Sequence, residues 1–340
     1  MNIALIVLAA GKGTRMQSEL PKVLHEVAGA PMLVHAMRAG RALDPKRTII
    51  IAGHGFEAVS AAARAEDPEV EVVRQEAQLG TGHAVDQARA ALSDFDGTVI
   101  VLYGDCPLIQ SRTLEELSAT LSDSAVSVLG FEAKDPARYG RLITDGDKLK
   151  RIVEFKDASP AERAVSLCNG GVMAASAGLL FDLLSEIDAN NASGELYLTD
   201  VIGKAVARGL PCTAVRCAER ETLGVNSRVE LMQAEKEFQN LRRTEALEDG
   251  VTMPAPETVH FSYDTVIGRD TIIEQNVVFG PGVTVESGAQ IRAFSHLEGA
   301  HVSRGCIIGP YARLRPGAEL AEDVKIGNFV EIKASALEEG

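Results

Sequence analysis

Three hundred and forty residues are long for one domain and fit two of about 150 residues each. Apolar residues make up 46% of the chain and charged residues 24%, which excludes a disordered chain, since such a chain lacks the apolar surface to offset its entropy. The 34 basic and 48 acidic residues leave a net charge of −14, which repels a nucleic-acid backbone and argues against a nucleic-acid partner.

No stretch approaches the roughly 18 uninterrupted apolar residues of a membrane helix, so no membrane association is expected. The apolar start Ile3–Ala10 has no basic residue before it, so it does not read as a secretory leader. The five cysteines (Cys106, Cys168, Cys212, Cys217, Cys306) show no metal-ligand spacing and predict a reducing, cytoplasmic setting.

In chain order, β-branched apolar runs at Ile3–Leu8, Thr48–Ala52, Val70–Arg74, Thr98–Tyr103 and Ala125–Phe131 read as strands. Helical stretches near 33–43, 56–65, 82–92 and 111–121 separate them. This alternation predicts an α/β domain with a mostly parallel, Rossmann-like sheet covered on both faces. In such sheets ligands sit at the carboxyl ends of the strands. A helix capped by Ser227 and running to about Ala246, with Leu231, Phe238 and Leu241 on one face, then reads as a connector.

Beyond it Ile267, Ile273, Phe279, Val285, Ile291 and Leu297 recur every six residues; after one five-residue step the series resumes as Val302, Ile308, Leu314, Leu320, Ile326 and Ile332. A period of six is too long for an α-helix and matches a hexapeptide β-helix of three repeats per coil. The expected organisation is therefore a first domain over 1–227, a helical linker over 228–250 and a partial β-helix over 251–340.

The strongest local signal follows the first strand: Leu8-Ala9-Ala10-Gly11-Lys12-Gly13-Thr14-Arg15-Met16, with Leu20-Pro21-Lys22 beyond. Small residues and two glycines let backbone approach a ligand, and exposed N–H groups can cradle phosphates. The spacing fits neither a P-loop nor a dinucleotide fingerprint, because Met16 stands where a third glycine would be. Asp105 ends the fourth strand as a hard carboxylate suited to Mg²⁺; taken alone, before Cys106-Pro107, it reads equally as a turn residue.

This loop resembles the signature of sugar-nucleotide pyrophosphorylases. Gln75 to Ala84, Tyr103-Gly104-Asp105, Tyr139-Gly140-Arg141 and Val153 to Asp157 extend the match. With the hexapeptide domain, the whole chain resembles the bacterial bifunctional N-acetylglucosamine-1-phosphate uridyltransferase and glucosamine-1-phosphate acetyltransferase family, whose β-helix is left-handed. The resemblance implies transfer of UMP from UTP to N-acetylglucosamine 1-phosphate, giving UDP-N-acetylglucosamine and pyrophosphate for cell-wall precursors. It assigns Asp105 and Asn226 to Mg²⁺, and Arg15 and Lys22 to the charge that builds on the phosphates.

By the same matching, Leu8, Ala9, Ala10, Gly11, Gln75, Gly80 and Thr81 form the nucleotide pocket, flanked by Tyr103 and Gly104. Gly140, Glu154, Asn169 and Asn226 receive the sugar and ribose. The family usually shows Asn-Thr-Gly where this chain has Asn169-Gly170-Gly171. In the repeat domain, Arg315 and Lys333 match the positions that hold the phosphate of glucosamine 1-phosphate; alone they would read as solvated cations on coil corners. The family's catalytic histidine lies beyond Lys333, and the chain as given ends at Gly340. Acetyl transfer from acetyl-coenzyme A is therefore expected to be lost, and trimerisation through the β-helix weakened. The rivals are a related enzyme such as a glucose-1-phosphate adenylyltransferase, and a non-catalytic nucleotide-sugar-binding trimer.

Overall fold

Ile3–Ala9 (β1) is buried at every position except Leu8, so the first apolar run becomes the middle of a sheet. The computed structural model describes residues 2–137, 139–146 and 148–338. The chain clusters into two units, Met1–His25 with Pro31–Leu231 and Glu26–Ala30 with Met232–Gly340.

After β1 come a small ribbon, β2 (Glu26–Val27) and β3 (Ala30–Pro31), then α1 (Met32–Arg41), β4 (Arg47–Ala52), α2 (Phe56–Glu66) and β5 (Glu71–Arg74). Next are α3 (Thr81–Asp86), β6 (Thr98–Tyr103), α4 (Ser111–Ala119) and β7 (Val126–Glu132). The pair β8 (Arg141–Asp145) and β9 (Lys148–Val153) precedes α5 (Pro160–Arg163), β10 (Leu167–Ser176), α6 (Ala177–Leu184), α7 (Asp200–Ala207) and β11 (Cys212–Cys217). All five strands read from the sequence form, with ends within one residue.

The nine-stranded sheet has the order β5-β4-β1-β6-β10-β7-β11-β9-β8. From the pairings, β1, β4, β5, β6, β7, β8 and β11 run one way and only β9 and β10 the other. Apolar layers cover both faces. Ala4 and Ile6 of β1 pack in one cluster with Val85, Phe181 and Val201. Leu5 and Val7 pack in the other with Leu33, Val59 and Leu114. The pleat thus assigns alternate residues of one strand to two cores.

α3 is shorter than the periodicity predicts. Its regular hydrogen bonding stops at Asp86 because the Gln87 side chain donates to the His83 carbonyl at 3.1 Å, while the Gln87 backbone N–H turns to Ala84, three residues back. Irregular turns continue to Asp94.

In the second unit the hexapeptide residues point inward as read: Ile273, Ile291, Leu297, Val302, Ile308 and Leu314 are fully buried. Successive coils pair in parallel in three sheets, with Val266 opposite Thr284 and Ala300 opposite Ala318, eighteen residues apart. Two steps have seventeen: Thr284 pairs with His301, where the five-residue step falls, and Ala318 pairs with Ser335. Phe294, Tyr311 and Phe329 occupy the same corner in three coils, each with positive φ, and their rings stack at 5.0 and 5.2 Å.

The helix α8 (Arg228–Glu248) continues the chain before the coils, and its residues from Met232 onward cluster with the second unit. Of the expected stripe Phe238 is buried while Leu231 and Leu241 are half-buried, and the buried face also holds Ala234 and Gln239. The Gln239 amide donates to the Phe261 carbonyl at 2.6 Å and accepts from the Phe261 N–H at 2.8 Å. It thereby satisfies the backbone of the first coil, which has no preceding coil to pair with. Replacing Gln239 with Ala should destabilise the second unit by about 1–3 kcal/mol for each buried group left unpaired, read as a lower urea midpoint with unchanged secondary structure.

Candidate functional site

β1 and β6 are adjacent parallel strands with Leu8 opposite Tyr103, so the loop after β1 and the Tyr103-Gly104-Asp105 turn emerge side by side. The Gly104 N–H donates to the Leu8 carbonyl at 2.9 Å and continues the ladder one residue past the strands. Between them lies a cleft of about 320 Å³ lined by Leu8, Ala9, Ala10, Gly11, Lys22, Gln75, Gly80, Thr81, Tyr103 and Asp105. These ten are all expected site residues. Gln78 and Glu195 line it too, and the sequence reading missed both.

Two glycines are required here. Gly13 has φ +62°, and a Cβ there would lie 2.5 Å from the Lys22 Cβ, so the lysine stem packs directly on the loop. Gly80 has φ +117°, and a Cβ would meet the Leu196 carbonyl oxygen at 2.5 Å. That close approach brings the segment around Glu195 to the cleft, together with a bond from the Leu196 N–H to the Leu79 carbonyl at 2.7 Å.

The floor carries the charges. The Lys22 ammonium donates to Asp105 Oδ2 at 2.5 Å and to Asn226 Oδ1 at 3.0 Å. Three residues that lie 83 and 204 positions apart in the chain thus meet at one point. The Val225 N–H donates to the Asp105 carbonyl at 2.9 Å, which ties this segment to the end of β6. Ser227 Oγ caps α8 by accepting from the Glu230 N–H at 3.3 Å, and the Glu230 carboxylate accepts from the Asn226 N–H at 2.7 Å. The first turn of the helix therefore aims Asn226. Among the described residues no three His, Cys, Asp or Glu side chains gather as a metal cluster.

Gln75 is buried, and its amide Nε2 lies 3.3 Å from the Gly80 carbonyl and 3.0 Å from His83 Nδ1. Gln78 donates to the Ala10 carbonyl at 2.6 Å, and the Leu198 N–H donates to Thr81 Oγ1 at 3.0 Å. Burial, with the carboxylates of Glu154 and Asp105 near it, pushes the Tyr103 hydroxyl far above its ordinary value. It stays neutral and can donate.

A second cavity of about 500 Å³ is lined by Glu154, Asp157, Tyr197, Thr199 and Asp200 among others. Glu154 accepts from the Thr199 hydroxyl at 3.1 Å and lies against Gly140, where a Cβ would stand 3.4 Å from both its oxygens. Asn169 joins them, its N–H donating to the Gly140 carbonyl at 2.8 Å. The loop that carries Gly140 is held by the buried Arg141, whose guanidinium donates to the carbonyls of Ala137, Tyr139 and Arg163. Asn169 sits where four residues of β10 span two of β7, a bulge that re-aims the chain. At Gly170, where the family usually has threonine, a Cβ would meet the Thr222 methyl at 2.6 Å, so Thr222 fills that space.

Arg15 is exposed in a short 3₁₀ turn (Thr14–Met16) and is not part of the cleft wall. In the second unit Arg315 and Lys333 stand one coil apart, each next to a paired inward residue, Leu314 and Ile332. Arg315 contacts Glu331 at 3.2 Å, and Lys333 is exposed.

Residues 5–181 match the MobA-like NTP transferase domain and residues 264–299 the six-repeat bacterial transferase hexapeptide. The bifunctional protein GlmU of Roseobacter denitrificans is 61% identical over all 340 residues, which cover 76% of that relative. The chain belongs to the bifunctional GlmU family. GlmU of Ruegeria pomeroyi is 64% identical over 98% of the chain and 74% of its own length. GlmU of Sphingopyxis alaskensis is 53% identical over 97% and 73%. The chain thus spans about three quarters of the length of these GlmU proteins. The chain also shares its fold with a UDP-glucose pyrophosphorylase structure, at TM-score 0.58 and 17% identity, over 71% of this chain and all of that one. No helix among the described residues is long and apolar enough to cross a membrane.

Glu154 gives a pH test. Burial, followed by the carboxylates of Asp200 and Asp157, raises its pKa above the ordinary 4.5, and the Thr199 bond offsets only part of this. A raised carboxyl pKa means the folded state holds the proton longer, so Glu154 costs stability as pH rises from 4.5 through its folded value. Glu154→Gln should therefore melt higher than the parent at pH 7–8. The difference should close below the ordinary carboxylate range, as followed by paired thermal melts across pH.

Proposed function

We propose that this chain transfers UMP from UTP to N-acetylglucosamine 1-phosphate, releasing pyrophosphate and forming UDP-N-acetylglucosamine. The observation that carries the reading is the convergence of Lys22, Asp105 and Asn226 on the floor of a cleft whose rim is the glycine loop after β1. A phosphate oxygen of the sugar 1-phosphate attacks the α-phosphorus of UTP; the bond from that phosphorus to the α,β-bridging oxygen breaks, and pyrophosphate leaves. No protein nucleophile is needed, and catalysis consists of positioning and charge neutralisation.

Backbone N–H groups of Leu8–Gly11 and the Lys22 ammonium suit the phosphates. Arg15, exposed on the same loop, suits the leaving pyrophosphate. The Asp105 and Asn226 oxygens already converge on a cation, the Lys22 ammonium, so the donor set fits Mg²⁺. When bound there, Mg²⁺ would neutralise phosphate charge. With Gln75 Nε2 engaged by Gly80 and His83, its carbonyl oxygen is the atom suited to accept from the uracil N3–H. Adenine N1 carries no hydrogen and cannot make that bond. Glu154, Asn169 and Gly140 offer the donors and acceptors that a sugar needs.

For the family's second activity, the stacked Arg315 and Lys333 suit the phosphate of glucosamine 1-phosphate, with acetyl-coenzyme A as co-substrate. Parallel coils support association into a homotrimer, and the five free cysteines support a reducing cytoplasm.

Pyrophosphate release tests the reading. UTP should exceed ATP in kcat/KM by about 10⁴, the discrimination expected when a wrong base leaves site groups unpaired. Asp105→Ala should fold and lose nearly all turnover. Comparable kcat/KM for ATP would move the chain to the adenylyltransferase reading.

A further inference from the structure

Two hard oxygens that suit a divalent cation are each already in contact with a positive charge. Lys22 Nζ lies 2.5 Å from Asp105 Oδ2 and 3.0 Å from Asn226 Oδ1, and both side chains of the ion pair are largely buried, at 12% and 16% exposure. A divalent cation sharing those oxygens at about 2.1 Å would stand within about 4 Å of the ammonium, and the two charges would repel. The pair Lys22–Asp105 is neutral as it stands. A metal added to it would leave two uncompensated positive charges in a partly dry cleft.

The lysine is also built to leave. Its stem lies on the glycine loop, with the Cβ against Gly13 and the Cε 4.0 Å from the position of a Cβ on Gly11. An anion on the backbone N–H groups of that loop would offer the ammonium new acceptors without moving the backbone. The same anion would bring the negative charge that a metal between Asp105 and Asn226 requires.

We propose that Lys22 is the resident cation of this site in the nucleotide-free protein, holding Asp105 and Asn226 against uptake of a free divalent ion. The metal enters only when a nucleoside triphosphate draws the ammonium away. Lys22 thus acts first as an internal counter-ion and then as a phosphate ligand, and the change of partner couples metal uptake to nucleotide. This rests on the uridylyl-transfer reading for the identity of the nucleotide, but not for the exclusion itself.

The test measures Mn²⁺ binding to the nucleotide-free full chain by electron paramagnetic resonance. The proteins are the wild type, Lys22→Met, Lys22→Gln and Lys22→Met/Asp105→Asn, each with its secondary structure checked by circular dichroism. Removing the like charge should tighten Mn²⁺ binding by about tenfold or more in both single variants. Asp105→Asn should then abolish the gained site. Equal Mn²⁺ binding in the wild type and whichever single variant folds overturns the inference, whether both bind or neither does. So does a gain that survives Asp105→Asn, because the ion would then lie elsewhere. Absence of pyrophosphate release from the wild type would instead overturn the proposed reaction and leave the Mn²⁺ comparison standing.

Discussion

The parallel pairing of β1 with β6 puts Leu8 opposite Tyr103, and the rest of the site depends on that one register. A parallel ladder sends both strands out at the same edge, so a phosphate-binding loop and an acidic turn end up as neighbours although 95 residues separate Leu8 from Tyr103. Slipping the register by one residue would turn Leu5 and Val7 toward the wrong core and draw Asp105 away from Lys22. The two apolar layers that hold the register are therefore part of the site, although none of their residues need touch a ligand.

Polar groups in the cleft are partnered with each other in a way that fits exchange. Gln75 leans on Gly80 and His83, Gln78 on Ala10, and Lys22 on Asp105 and Asn226. A buried charge or amide without a partner would cost stability, so the folded chain supplies substitutes for the ligand. Such a site is ordered before anything binds, and binding replaces one set of bonds by another.

Four of the five early strands were legible because they are continuous apolar runs buried on both faces, and β5, at the sheet edge and only partly buried, by its Val72-Val73 pair. The half from Arg141 to Cys217 was not. β8 and β9 mix buried and exposed residues with no regular alternation, and β10 reads Leu-Cys-Asn-Gly-Gly-Val, with two glycines that interrupt a strand pattern. Those glycines mark the bulge that carries Asn169, so the feature that hid the strand is the one that serves the site. Asp105, Lys22 and Asn226 were found as motif residues, yet no local pattern could show that they meet, because that depends on sheet order. Gln239 was missed for another reason. A polar residue on an apolar stripe looks like an error until its two bonds to Phe261 are known.

The seventeen-residue coils have a consequence for how such a chain can change length. Every inward residue downstream depends on the count of residues upstream, so a deletion within a coil would rotate all later side chains out of the core. Here one residue is missing between Leu297 and Val302, and the inward series resumes undisturbed, because the loss falls at a corner that Gly299 turns with positive φ just before the paired strand Ala300–Val302. Length in this unit is therefore quantised. It can grow or shrink by whole turns of the helix, with a single residue of slack at a corner, and intermediate lengths have no core to fold around.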